Sequence, residues 1–227
     1  MIENLIMIPA RAGSQRIPNK NLINLNGKPL IYYTINACKK VKKFADIYVS
    51  SDSDKILNYC KKFKFLLTKK RSKKLASNKS NMNDVVEDLI LYLEKKNKNY
   101  KNFILLQPTS PLRNFREIIT CLNVFKKKKL TSLVTISDLI EKPNEIIVKK
   151  NKKWKYLFNN RKNYLELCNY VDGSIYICTI DFFKKYKDLI KKDKTFFFKV
   201  NNNYNVDVDY KYDLALAEYF LKNKGKN

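Results

Sequence analysis

Short, continuous apolar runs alternate along the chain with longer amphipathic stretches. Residues 5–8 (Leu-Ile-Met-Ile) form an uninterrupted apolar run that stops at Pro9, the signature of a buried strand. A polar loop over 10–26 leads to Pro29 and the periodic segment 30–41, a helix with proline near its first turn. Residues 47–50 predict a second strand. Residues 53–63 predict a helix capped by Ser53 or Asp52, and 65–67 a short strand. Across 84–96 the apolar residues fall at 85, 86, 89, 90 and 93, one face of a helix. A buried strand at 103–106, a helix at 115–128 and a strand at 133–136 follow.

Strand and helix in strict alternation predict an α/β fold, built from right-handed βαβ units around a mostly parallel sheet with helices on both faces. Ligands of such sheets gather beyond the carboxyl ends of the strands, which singles out the loops after Ile8, Ser50 and Leu106. After residue 136 the rhythm breaks. Residues 138–172 are irregular and polar, with Trp154, Tyr156 and Phe158 in alternation, and predict a small β-rich insertion, an arm that meets another subunit. Strands at 174–178 and 196–200 and helices at 182–190 and 214–221 then resume the pattern. Neither a repeat nor a long linker interrupts the chain, so residues 1–227 are expected to form a single domain.

Composition narrows the chemistry. The 227 residues contain no histidine, which excludes Ser-His-Asp and Cys-His nucleophiles, His-ligated zinc and histidine proton shuttles. Lys and Arg number 47 against 21 Asp and Glu, a net charge of +26, but arginine occurs at only six positions. Nucleic-acid readers favour arginine's bidentate fork and aromatic platforms. A solvated lysine surface that draws in small anions is therefore the expected reading, with a nucleic-acid stripe as its rival. The five cysteines are scattered without any CxxC pair and read as reduced, mostly buried thiols. No apolar run approaches the roughly 18 residues of a membrane helix, and the first residues lack a basic leader, so a soluble cytoplasmic protein is expected.

Three stretches carry candidate chemistry. The loop from Pro9 to Asn21 lacks both P-loop and G-x-G-x-x-G spacing. It nonetheless places Gly13, free backbone amides and the cations Arg11, Arg16 and Lys20 at a strand's carboxyl end, which suits a polyphosphate. The alternative is a basic surface loop. The segment Gln107-Pro-Thr-Ser-Pro-Leu-Arg113 offers neutral donors and acceptors on a proline-stiffened turn, suited to a polyhydroxylated sugar or, more plainly, to capping the next helix. Asp207 and Asp209 flank Val208 in an extended stretch, so both carboxylates face one way. They either hold magnesium together with substrate phosphates or stand as surface acids among lysines. Asp213, about one turn on, is expected to cap or pair.

The segments IPARAGSQRIPNKNL, NGKPLIYYTI, VSSDSDKI, QPTSPLR, DGSIYI and VDVDYKYDLALAE, in this order, resemble the acylneuraminate cytidylyltransferases, which make CMP-activated nonulosonic acids. The resemblance implies a Rossmann-like fold of the nucleotide-diphospho-sugar transferase type, CTP and a 2-keto-3-deoxy sugar acid as substrates, Mg2+ as cofactor, and a homodimer serving cell-surface glycan synthesis. It implies that Arg11, Ala12, Gly13, Ser14, Lys20, Asn21, Arg71 and Ser80 bind nucleotide. Gln107, Thr109, Arg161 and Asp172 fall on the sugar side, Asp207 and Asp209 at the metal, and Arg113 in a structural pairing. Arg11, Lys20 and Asp209 are the expected catalytic groups, with Asp209 the candidate base where a metal-bound hydroxide or solvent does not serve. Asn78 stands where the family carries aspartate. Asp172-Gly-Ser replaces its Asn-Gly-Ala, and Arg161-Lys-Asn-Tyr-Leu departs from Arg-Gln-Asp-Leu-Pro, which bears on the identity of the sugar. CMP-Kdo synthesis is the alternative within the class. A non-catalytic basic nucleic-acid binder is the alternative outside it.

Overall fold

A computed structural model describes residues 2–77, 80–139, 145–157, 168–200 and 205–223. Its centre is a seven-stranded sheet of β1 (Asn4–Pro9), β4 (Ala45–Ser51), β5 (Leu66–Lys70), β6 (Asn102–Leu105), β7 (Ser132–Asp138), β10 (Asn169–Thr179) and β11 (Phe196–Lys199), in the order β11-β7-β10-β6-β1-β4-β5. The short strands β2 (Asn24–Leu25) and β3 (Lys28–Pro29) pair antiparallel outside it. Strands β1, β4, β5 and β6 run parallel, and β11 runs parallel to β7. Only β10 is reversed, pairing antiparallel with both β6 and β7. The alternation of Ile175 and Ile177 that predicts this strand reads the same in either direction, so the sequence pattern carried no sign of the reversal.

Period-two alternation within the strands assigns the two faces of the sheet. Ile6, Ile8, Ile47, Val49 and Ile104 point to one side, against α1 (Leu30–Lys39), α2 (Asp54–Lys61) and α4 (Phe115–Lys127). Leu5, Met7, Tyr48, Phe103 and Leu105 point to the other, against α3 (Met82–Glu94) and α5 (Ile180–Tyr186). Helix starts follow local chemistry: the Ser53 hydroxyl accepts from the Ile56 amide, and the Asn114 side chain accepts from the amides of Arg116 and Glu117. The helix expected over 182–190 is shifted to Ile180–Tyr186. The Thr179 hydroxyl caps its start, and Lys187 ends it in the left-handed region at φ 53°.

The expected insertion is β-rich where it is described: β8 (Ile147–Lys150) and β9 (Lys153–Tyr156) form an antiparallel hairpin. Its last residues, 169–171, join the central sheet by pairing with β7. Phe158 lies outside the described residues, as do Asn78 and Arg161. Among the described residues no helix is long and apolar enough to cross a membrane.

Two features of this fold place the site. From β1 the chain moves out to β4 and β5, then returns on the other side of β1 as β6, so a crevice opens at the carboxyl ends of β1 and β6. A third apolar cluster of Ile17, Leu25, Leu30, Leu112, Val206, Val208 and Ala217 lies over that end. It clamps the loop after β1 to the stretch before α6 (Lys211–Asn223).

Candidate active-site cleft

The crevice is a cleft of about 340 Å³. Arg11, Lys20 and Asn21 line it from the loop after β1, Arg71 from the end of β5, and Ser77 and Ser80 from the segment before α3. Gln107, Pro108 and Thr109 enter from the loop after β6, and Asp207 and Asp209 from the stretch before α6. Residues from four separate loops therefore meet, and they include most of the positions singled out by sequence.

The carboxylates owe their aim to an alternation. Val206 and Val208 are buried in the third apolar cluster, so Asp207 and Asp209, one residue out of phase, turn to the cleft. The Val208 amide donates to the Thr109 carbonyl at 2.7 Å, which joins this segment to the β6 loop. Asp213 accepts from the amides of Asp209 and Tyr210 at 2.8 and 2.7 Å and so caps α6.

Lys20 donates to the Val208 carbonyl at 2.9 Å and to Asp209 Oδ1 at 2.8 Å. Arg16 donates to Asp209 Oδ2 at 2.5 Å, and its guanidinium lies 4.7 Å from the centre of the Tyr210 ring. Burial alone would raise the Asp209 carboxyl. The bonds and charges of Lys20 and Arg16 outweigh it and hold the group below the usual carboxylate range. Asp207 goes the other way: crowding by the cleft walls and the nearby Asp209 charge raise it, against a hydrogen bond from Thr109 and the charge of Lys20.

The opening loop is held by its own polar groups. The Ala12 amide donates to Asp52 Oδ1 at 2.9 Å, and Asn21 Nδ2 to the Arg11 carbonyl at 2.9 Å. Arg11 donates to the Ser77 carbonyl at 3.3 Å. Arg71 is buried, with its Nε on the Ser50 hydroxyl at 3.2 Å and another nitrogen on the Ser50 carbonyl at 2.9 Å. Burial pushes its guanidinium down to about 10, against the pull of Asp52 and Asp88 and with a push from Arg11. Ser80 donates to the Lys74 carbonyl at 2.7 Å.

Across the cleft, Gln107 is hydrogen-bonded to the half-buried Tyr176, next to Gly173 at φ +72°. Arg113 ties this wall together, donating to the Ser174 carbonyl at 2.6 Å, to the Thr34 hydroxyl at 2.6 Å and to the Gln107 carbonyl at 3.0 Å. Its expected structural role is thus visible, although its partners are neutral oxygens.

Some expected positions stand apart. Ala12, Gly13 and Ser14 belong to the opening loop but do not line the cleft. Asp172 is buried behind it, its carboxylate taken by the Thr135 and Ser137 hydroxyls at 2.6 and 2.9 Å and by the Ser174 amide at 2.9 Å. It shapes the bend of β10 between Val171 and Tyr176. Sequence reasoning missed Asp52 as the anchor of the opening loop and Arg16 as a partner of Asp209. Asp52 read equally well as a helix cap, and nothing local linked residues 16 and 209.

Among the described residues no three Cys, Asp or Glu groups gather as a complete metal cage. Two carboxylates side by side, one of them raised by desolvation and further by the other's charge, nonetheless fit a hard divalent cation that completes its shell with substrate oxygens. Cations on one wall, acids between and neutral donors opposite suit a polyphosphate beside a hydroxylated molecule.

The chain is 32% identical over 228 residues to the CMP-N,N'-diacetyllegionaminic acid synthase of Legionella pneumophila, covering 96% of each protein. It is 26% identical over 212 residues to the N-acylneuraminate cytidylyltransferase of Streptococcus agalactiae, of which it spans half. The fold matches that of a CMP:2-keto-3-deoxy-manno-octonic acid synthetase solved with CTP, with a TM-score of 0.69, 18% identity and coverage of 98% and 99%. With residues 5–214 matching the family described as cytidylyltransferase, the chain belongs to the cytidylyltransferases.

Proposed function

We propose that this protein joins CTP to a 2-keto-3-deoxy nonulosonic acid, giving the CMP-sugar and pyrophosphate. The observation that carries the reading is the meeting of Lys20 and Arg11 with Asp207 and Asp209 in one cleft, opposite Gln107 and Thr109. The anomeric oxygen of the sugar acid forms a bond to the α-phosphorus of CTP as the bond from that phosphorus to the β-phosphate oxygen breaks. Pyrophosphate leaves with the electron pair, and the proton of the anomeric hydroxyl passes to solvent, because Lys20 and Arg16 engage both oxygens of Asp209, the carboxylate first expected to serve as base. Arg11 and Lys20 neutralise the polyphosphate, and the protein acts by positioning and by charge. A magnesium ion held by Asp207 and Asp209 would neutralise charge at the α-phosphate. Gln107 and Thr109 supply hydrogen bonds to the sugar. A cytoplasmic setting is part of this proposal, with CTP drawn from the intracellular pool.

The same reading makes the protein a homodimer through the β8–β9 hairpin, which leaves Ile147, Trp154, Tyr156 and Leu157 exposed. Pyrophosphate release from CTP with a panel of legionaminic, pseudaminic, sialic and Kdo acids tests the function. Turnover with one or more of the nonulosonic acids is expected. Turnover with Kdo alone, or with none of them, would overturn it.

A further inference from the structure

We propose that Lys20 locks the cation site in the nucleotide-free protein, so that an arriving polyphosphate opens the site as it binds. This rests on the reading of Asp207 and Asp209 as the cation ligands. The two oxygens of Asp209 have different partners. Oδ2 is taken by Arg16, which does not line the cleft, is about half exposed and lies against the Tyr210 ring. Oδ1 is taken by Lys20, which lines the cleft and whose side chain is only 14% exposed. A divalent cation approaching Asp209 from the cleft therefore meets an ammonium group on Oδ1, at 2.8 Å.

A polyphosphate changes the competition. It offers Lys20 more than one negative charge and several acceptor oxygens, where Asp209 offers one of each. As Lys20 turns to the phosphate, Oδ1 is released while Arg16 keeps its hold on Oδ2. The carboxylate thus stays aimed at the cleft instead of swinging away. Lys20 serves two sites in turn, and by reciprocity nucleotide and cation each favour the other's binding beyond their mutual attraction in solution. Arg16 is a positioning residue in this scheme, since it acts through Asp209.

The probe is Mn2+ alone, titrated into the nucleotide-free protein and followed by the loss of the free-ion paramagnetic resonance signal. Lys20→Met is expected to bind Mn2+ about tenfold more tightly than the unmodified protein. The double variant Lys20→Met/Asp209→Asn should lose that gain. Lys101→Met, which removes an equal charge from the remote pair with Glu3, controls for net charge and should change nothing. Arg16→Gln leaves Lys20 in place and should gain no more than about twofold. Lys20→Met binding no more tightly than Lys101→Met would overturn the lock. Undiminished turnover in excess chelator would instead overturn the cation site itself. Cation-dependent turnover with an unaltered Lys20→Met affinity would overturn the lock alone.

Discussion

Replacing Arg113 with Met tests whether the sugar-side wall depends on one buried guanidinium. The side chain is 3% exposed and makes three hydrogen bonds, to the Ser174 and Gln107 carbonyls and the Thr34 hydroxyl. Bonds from a charged donor contribute roughly 1.5–3 kcal/mol each. Their sum overstates the loss, because burying the guanidinium is itself costly. Burial pushes its pKa down to about 10, and its Nε has no hydrogen-bond partner among the described residues. Methionine fills similar space and removes that cost, but it takes the guanidinium donor from the Ser174 carbonyl and the Thr34 hydroxyl and leaves the Gln107 carbonyl only the longer bonds from Thr34 and Ser110, at 3.4 Å each. The balance is a loss of about 2–4 kcal/mol. For a chain of this size that corresponds to a fall in Tm of about 5–15 °C. Urea unfolding followed by circular dichroism gives the free energy directly. The variant should also raise KM for the sugar acid more than KM for CTP, because Gln107 and the β10 bend lose their common tether. A stability loss below about 1 kcal/mol, or an equal rise in both KM values, would refute this account.

Three other outcomes are expected. Asp207 has a raised carboxyl in the fold, so its ionised form is less favourable there than in the unfolded chain; the cost is absent below about pH 4 and complete once pH exceeds the raised value. Asp207→Asn should therefore raise Tm at pH 7 by no more than about 1 °C, since the exposed side chain is screened by solvent, while reducing pyrophosphate release, and calorimetry at pH 7 and pH 3.5 should show the gain only at the higher pH. Gly173→Ala would place a methyl 3.6 Å from Gln107 Nε2, an ordinary contact, so its cost is the backbone strain of φ +72°, about 1–2 kcal/mol by urea denaturation. Burial pushes the Cys38, Cys60 and Cys121 thiols up to about 12 and raises Cys178 too, so a thiol reagent at pH 8 should modify the half-buried Cys168 in the native protein and the other four only after unfolding.

The apolar runs and their spacing determined the elements, the α/β class and the end of the sheet where ligands would gather, because burial on both faces of a parallel sheet leaves a mark on every strand. The motifs 9–21 and 107–113 likewise marked the site, since each lies in a loop whose strand aims it there. What the sequence left open were the relations between distant residues. The reversal of β10 was hidden because alternation has no direction. The turn of Asp207 and Asp209 to the cleft depends on Val206 and Val208 finding a pocket among Ile17, Leu30 and Leu112. Asp172 carries a charge that suits a ligand site, yet three donors from β7 and β10 enclose it. Lys20 and Asp209 are 189 positions apart, and only folding brings the ammonium onto the carboxylate. A local sequence records what each residue can do. The tertiary structure decides which partner it meets, because a charge or a donor is spent on whichever group the fold places within reach.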